Sequence, residues 1–221
     1  MKKIPTLLDL YKLITENNVS EYKIYCDMDG VLCDFDGGYK DATKSLKGDE
    51  LKEDEIDLLK IFPNFKKNGI STDEANALGK SYFWKIFRAS VGKNEKEFWA
   101  NLPWQPGGQE LWTFISPYNP NILSSPTIDF SKPQDQQLDP KFNQAIQGKK
   151  EWINKNLYNV NEEIFVPASQ KVDSVAPNHI LIDDMKKNTD AWEAAGGIAI
   201  LHENYATTKK ILIEEYNFPK I

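Results

Sequence analysis

The chain has 221 residues, 40% hydrophobic and 27% charged, which suits one globular domain, or a domain with an insertion, and excludes a disordered polymer. Its net charge of −6 argues against a general binder of nucleic acid or of anionic membranes, which needs a basic face. It leaves room for one phosphorylated small molecule in a locally basic pocket. No run of about 18 apolar residues is present, so no membrane-spanning helix is expected. The stretch Thr6 to Ile14 carries Asp9 and Lys12, unlike the apolar core of a secretory signal. Two cysteines, Cys26 and Cys33, are too few for a disulfide framework. Reduced thiols in a cytoplasmic protein are the expectation.

Residues 6–18 place apolar side chains at helical spacing, with Thr6 as N-cap and Asp9 in the first turn. The run Tyr22 to Cys26 reads as a buried strand. Residues 36–107 then break any alternation of strand and helix. Lys40 to Lys60 is charged and helix-prone. Ser71 to Lys80 predicts a helix capped by Ser71 or Thr72, with Glu74 in its first turn. Ser81 to Arg88 and Asn94 to Trp99 are aromatic-rich helical pieces. The stretch is expected to be a small helical cap inserted after the first strand.

Beyond it, Asn121 to Leu123 is a second apolar run, and Ser131 to Gln147 a polar loop. Gly148 to Leu157 predicts a helix, Ile164 to Val166 and His179 to Ile182 two strands. Asn188 to Ala195 predicts a helix closed by Gly196 and Gly197. Ile198 to Leu201 is a fifth strand, and Thr207 to Tyr216 a last helix. Continuous apolarity suits strands covered on both faces. The alternation indicates an α/β fold: a Rossmann-like parallel sheet core with helices on both faces, formed by residues 1–35 and 108–221, with the cap at 36–107.

Ligands of such sheets bind at the carboxyl ends of the strands. The polar residues there are Asp27, Ser124, Ser125, Asp183 and Asp184, with Lys171 just beyond the third run. In Asp27-Met28-Asp29-Gly30 the two acids face one way if the chain stays extended. One can attack phosphorus while the other handles protons. Gly30 permits a sharp turn. A phosphate dianion repels a bare carboxylate by roughly 4 kcal/mol per charge pair at about 4 Å and a dielectric of about 20. A divalent cation and a lysine reverse that sign. Magnesium takes oxygen ligands and needs only one or two protein carboxylates. Ser124 and Ser125 can hold phosphate oxygens, Lys171 can neutralise them, and Lys149 or Lys150 can add a second positive group.

These residues resemble the motifs of the haloacid dehalogenase superfamily. Asp27-Met-Asp-Gly-Val-Leu looks like its first motif, Ser124 its second, Lys171 its third, and Asp183-Asp184 its fourth. Asp29 matches the phosphatases of that superfamily rather than the dehalogenases. The opening from Asp27 through Phe35 to Tyr39, the Ser124-Ser-Pro turn, Lys149 three residues before Trp152, and Leu181-Ile-Asp-Asp are similar to the 5′(3′)-deoxyribonucleotidases and their relatives.

The resemblance implies Asp27 as nucleophile and Asp29 as acid and base. It implies Mg²⁺ held by Asp27, the Asp29 carbonyl and Asp184, with Asp183 behind them. Ser124, Ser125, Lys149 and Lys171 would hold phosphate. Phe35, Phe83 and Trp84 would hold the base of a nucleoside 5′-monophosphate. The alternatives are another small phosphoester such as a sugar phosphate, a polynucleotide end, or a catalytically silent binding protein. No membrane and no stable nucleic-acid partner are expected.

Overall fold

A computed structural model of the protein describes residues 21–44, 64–128 and 132–219. The helix expected over 6–18 lies outside these residues, as does the run Lys40 to Lys60 beyond residue 44. The chain forms two compact units. One comprises Met1–Leu32, Trp104–Pro126 and Leu157–Ile221, the other Cys33–Pro103 and Thr127–Asn156.

The first unit is built on five parallel strands: β1 (Lys23–Cys26), β2 (Asn121–Ser124), β3 (Glu163–Phe165), β4 (His179–Asp183) and β5 (Ile198–Leu201). Their spatial order is β3-β2-β1-β4-β5, and helices Gly108–Ile115, Lys186–Ala194 and Tyr205–Glu214 belong to the same unit. This is the α/β parallel sheet that the apolar runs predict, with strand limits within about a residue or two of the expected ones. The inner strands are covered: β2 is buried throughout and β4 from Ile180 onward. The edge strands β3 and β5 keep partial exposure, because each lacks a neighbour on one side.

Side chains alternate across a strand, so β1 sends Tyr25 to one face and Ile24 and Cys26 to the other. On the first face Tyr25, Leu123 and Leu181 pack with Trp192 of helix Lys186–Ala194. The Trp192 ring lies 5.3 Å from Tyr25, and its Nε1 donates to the His179 carbonyl at 3.2 Å. That helix ends in a Schellman motif. Gly196 N–H donates to the Glu193 carbonyl at 2.9 Å and Gly197 N–H to the Trp192 carbonyl at 3.1 Å.

The second unit is helical, with helices Phe35–Thr43, Thr72–Ala77, Lys80–Val91, Glu95–Ala100 and Gln144–Asn156 as its main pieces. Ser71, not Thr72, is the N-cap of the second helix. The Glu74 amide donates to Ser71 Oγ at 3.2 Å and the Ser71 amide to Glu74 Oε2 at 2.8 Å, a full capping box.

The domain limits differ from the sequence expectation. Residues 127–156 belong with the helical unit, whereas the sequence rhythm assigns them to the core. The reason is close packing of Gln144–Asn156 on Glu95–Ala100. A Cβ at Gly148 would stand 2.3 Å from the Lys96 carbonyl oxygen, so only glycine allows that approach. Trp152, 1% exposed, donates through Nε1 to the Leu102 carbonyl at 2.8 Å. The stretch expected as a polar loop also contains the short helix Gln134–Gln137, and the long helix begins four residues early because Asn143 Oδ1 accepts from the Ile146 amide at 3.0 Å.

Trp192 is fully buried and bridges helix and sheet. Trp192→Ala is expected to cost about 3–5 kcal/mol of unfolding free energy, read from the urea midpoint at unchanged slope.

Candidate active site

Strand register decides which polar side chains meet. Cys26 of β1 stands opposite Ile182 of β4, and the Asp27 amide donates to the Ile182 carbonyl at 2.9 Å. The next residue on each strand, Asp27 and Asp183, therefore emerges at the same sheet edge. On the other flank Cys26 stands opposite Ile122, and β2 runs on to Ser124. β1 and β4 flank the point where strand order reverses, where parallel sheets open a crevice at their carboxyl ends.

Lys171 lies on the 3₁₀ segment Ala168–Ser174 and is 2% exposed. Its Nζ is 2.9 Å from Asp27 Oδ2 and 2.6 Å from Asp183 Oδ2. Burial alone pushes the ammonium pKa down, but Asp27 and then Asp183 outweigh it, and the net shift is upward. The lysine stays charged. Asp183 is further held by the Met185 amide at 2.9 Å and by Asn188 Nδ2 at 3.0 Å from each of its oxygens. Asp27 Oδ1 accepts from the Met28 amide at 2.8 Å.

Asp184 is different. It is half-buried and has no hydrogen-bond donor among the described residues. Burial first, then the charges of Asp27, Asp183 and Asp29, push its pKa up to about 7. Carboxylate oxygens of Asp27, Asp183 and Asp184 lie within 4.8 Å of one another. Three carboxylates against one lysine leave the cluster short of positive charge. Hard oxygen donors at this spacing fit a divalent cation such as Mg²⁺, which would restore Asp184 to its ionised form.

Gly30 (φ 73°) makes the close approach possible. A Cβ there would lie 2.2 Å from Asp184 Oδ2. An extended chain would turn Asp29 to the same side as Asp27, but β1 ends at Cys26. The chain turns instead, with the Leu32 amide donating to the Met28 carbonyl at 2.8 Å.

Asp27, Asp29, Ser124, Ser125, Lys171, Asp183 and Asp184 all belong to the sheet unit. Ser124 is fully buried at the end of β2. Ser125 Oγ is buried with no hydrogen-bond partner, so its hydroxyl is available to an incoming oxygen. Lys149, Phe35, Phe83 and Trp84 belong to the helical unit. There Lys149 is fully buried, with Nζ 4.4 Å from the Trp99 ring centroid. Phe35 stacks on Trp99 at 5.2 Å. Phe83, 6% exposed, stacks on Tyr39 at 4.9 Å and meets Trp84 edge-on at 4.8 Å. Phe35 and Trp84 keep partial exposure. Sequence reading missed Asn188. Its signal is an amide side chain in the first turn after the acid pair.

No protein-family model and no curated relative matches the sequence. Solved structures are similar at low identity. A hydrolase from Streptococcus pneumoniae TIGR4 is 14% identical, covering 87% of this chain and 98% of its own, with a TM-score of 0.48. A HAD-superfamily hydrolase of subfamily IA from Geobacter sulfurreducens PCA is 11% identical over 87% and 97%, with a TM-score of 0.44. The L-2-haloacid dehalogenase from Xanthobacter autotrophicus is 13% identical over 80% and 75%, with a TM-score of 0.42.

Lys171→Met leaves two buried carboxylates without their cation. It is expected to cost about 3–5 kcal/mol at pH 7. The cost should shrink toward pH 5 as Asp183, whose pKa burial raises, takes up a proton, which urea unfolding at both pH values will read.

Asp184 gives a second expectation. Its folded pKa lies above the unfolded carboxyl value, so the unfolded chain releases the proton first. In EDTA, wild-type stability should fall as pH rises from about 4 to about 7. Asp184→Asn should then melt higher than wild type at pH 8, with the difference closing toward pH 4.

Proposed function

We propose that this chain is a Mg²⁺-dependent phosphomonoesterase of the haloacid dehalogenase superfamily, acting through a phosphoaspartyl intermediate on Asp27. The observation that carries the reading is the buried Lys171 ammonium joining Asp27 to Asp183, with Asp184, which has no donor among the described residues, beside them. A structural ion pair needs one carboxylate per lysine; here the acids are in excess and converge. The order of the four sequence motifs supports the same reading.

In this mechanism an Asp27 oxygen attacks the phosphorus in line and the ester P–O bond breaks. Asp29, entering protonated, gives its proton to the leaving oxygen. Water then attacks the phosphorus of the acyl phosphate, Asp29 takes a proton from that water, and Asp27 leaves as carboxylate with release of inorganic phosphate. Lys171 fixes the Asp27 carboxylate and offsets negative charge next to it throughout. Asn188 and the Met185 amide fix Asp183, which in turn fixes Lys171. Ser125 Oγ supplies a hydroxyl to a phosphate oxygen. The cation, held by Asp27, Asp184 and the Asp29 carbonyl, would neutralise and orient the phosphoryl oxygens.

The proposed substrate is a nucleoside 5′-monophosphate, deoxy forms included, in the cytoplasm. Its support is the likeness of the opening motif to the deoxyribonucleotidases. We assign substrate selection to the helical unit, where Phe35 and Trp84 offer partly exposed aromatic faces; the burial of Phe83 within the unit leaves it a supporting part.

Phosphate release from a panel of nucleoside 5′-monophosphates, sugar phosphates and a 3′-phosphorylated oligonucleotide, with Mg²⁺ or EDTA, tests the proposal. Turnover should be fastest on the nucleotides and abolished by EDTA. Asp27→Asn should lower it by about 10⁴-fold or more while the protein stays folded. Near wild-type turnover in pure Asp27→Asn protein would overturn the mechanism.

A further inference from the structure

The helical unit holds a cavity of about 260 Å³ that includes none of the residues proposed for hydrolysis. Three cations line it: Arg88, Lys93 and Lys132. Among the described residues none of the three is in an ion pair. One carboxylate, Glu95, shares the cavity. Its Oε1 accepts from Thr127 Oγ1 at 2.7 Å and from Trp99 Nε1 at 3.4 Å, so its charge is drawn into the wall. A positive excess gathered at one concave place stands out on a chain of net charge −6.

The wall is a built structure. Asn143, 7% exposed, donates from Nδ2 to the Thr127 carbonyl at 2.9 Å and to the Gln137 carbonyl at 2.7 Å. Lys132 Nζ donates to the Phe142 carbonyl, which fixes that ammonium and leaves two of its protons for a ligand. Phe142, 43% exposed, adds an aromatic surface at the same cavity.

We propose that this cavity binds a phosphate dianion, free or as the phosphoryl group of a small ester. Like charges around a concave site focus its potential and raise the local concentration of the opposite ion. An arginine fork and two ammonium groups supply the charge-assisted donors that phosphate oxygens take. The volume lies below the usual range for drug-sized ligands, roughly 300–1,000 Å³, which limits the occupant to the anion with at most a small sugar. Phe142 would cover that sugar.

The test is an NMR titration of the ¹⁵N-labelled full chain with inorganic phosphate, ionic strength held constant with chloride. The amides of Thr127, Lys132 and Asn143 should shift saturably. Arg88→Gln with Lys93→Gln should weaken that binding by about tenfold or more, the loss expected for two charge-assisted contacts. Both side chains are exposed and make no hydrogen bond to described residues, so the variant keeps its fold; Lys93→Gln alone serves as a second variant and should weaken binding in the same direction. A ribose 5-phosphate arm separates the sources. Tighter binding than free phosphate assigns the site to an ester, and equal or weaker binding to the free ion. Shifts that drift linearly, or a binding constant unchanged in the double variant, overturn the site. Shifts at Met28 to Gly30 report on the acidic cluster and are read separately.

Discussion

One ammonium group, buried between two carboxylates, is the constraint on which the sheet edge depends. Lys171 is 2% exposed and Asp183 is fully buried, so neither can be hydrated as an isolated ion. Their attraction must offset the loss of water from both, and it does so only because the remaining lone pairs are also used. The Met185 amide and Asn188 complete Asp183, and the Met28 amide completes Asp27. By contrast, the pairs Lys186–Asp190 and Lys210–Glu214 lie on exposed helix faces. Pairs of that kind contribute roughly 0–1 kcal/mol. The buried triad is a poor source of net stability but a strong specifier of geometry.

The surplus of acid around that triad is what separates a structural network from a chemical one. A network built for stability ends with charges matched and donors filled. This one ends with Asp184, half-buried, raised in pKa and without a donor among the described residues. Gly30 keeps the space beside it clear. The cluster is therefore more costly to hold than its fold requires, and a bound cation would relieve that cost. The proposed function and the strain share a location here, as sites that depart from local rules often do.

Much of this was legible in the sequence. Five short apolar runs each end in polar residues or a turn, and the parallel α/β rhythm puts the residues that follow three of them, Asp27, Ser124 and Asp183, at the carboxyl ends of their strands. The sequence predicts a helix capped by Ser71 or Thr72 with Glu74 in its first turn, and Gly196-Gly197 as the closure of another. What could not be read were relations between segments distant in the chain. The helix Gln144–Asn156 looked like another crossover of the sheet. Its allegiance to the helical unit depends on Gly148 meeting Lys96 and Trp152 meeting Leu102, and no local pattern encodes either contact. Phe83 read as a ligand surface because aromatic residues serve both cores and pockets; its stacking on Tyr39 places it in the core. For Asp29 the alternation rule stops applying once the chain leaves β1, and its proposed role rests on the resemblance of the first motif.

The hydrogen bond from the Asp27 amide to Ile182 has a further consequence. It extends the ladder of the central strand one residue past its end, so the backbone of the nucleophile candidate is tied to the neighbouring strand β4. Amide hydrogens in such positions exchange with solvent only when the unit opens as a whole. The backbone at position 27 therefore moves with the sheet. On the proposed function, adjustment to different substrates would come from segments that open at lower free energy, and selection for a new substrate would act there while position 27 and its ladder stay fixed.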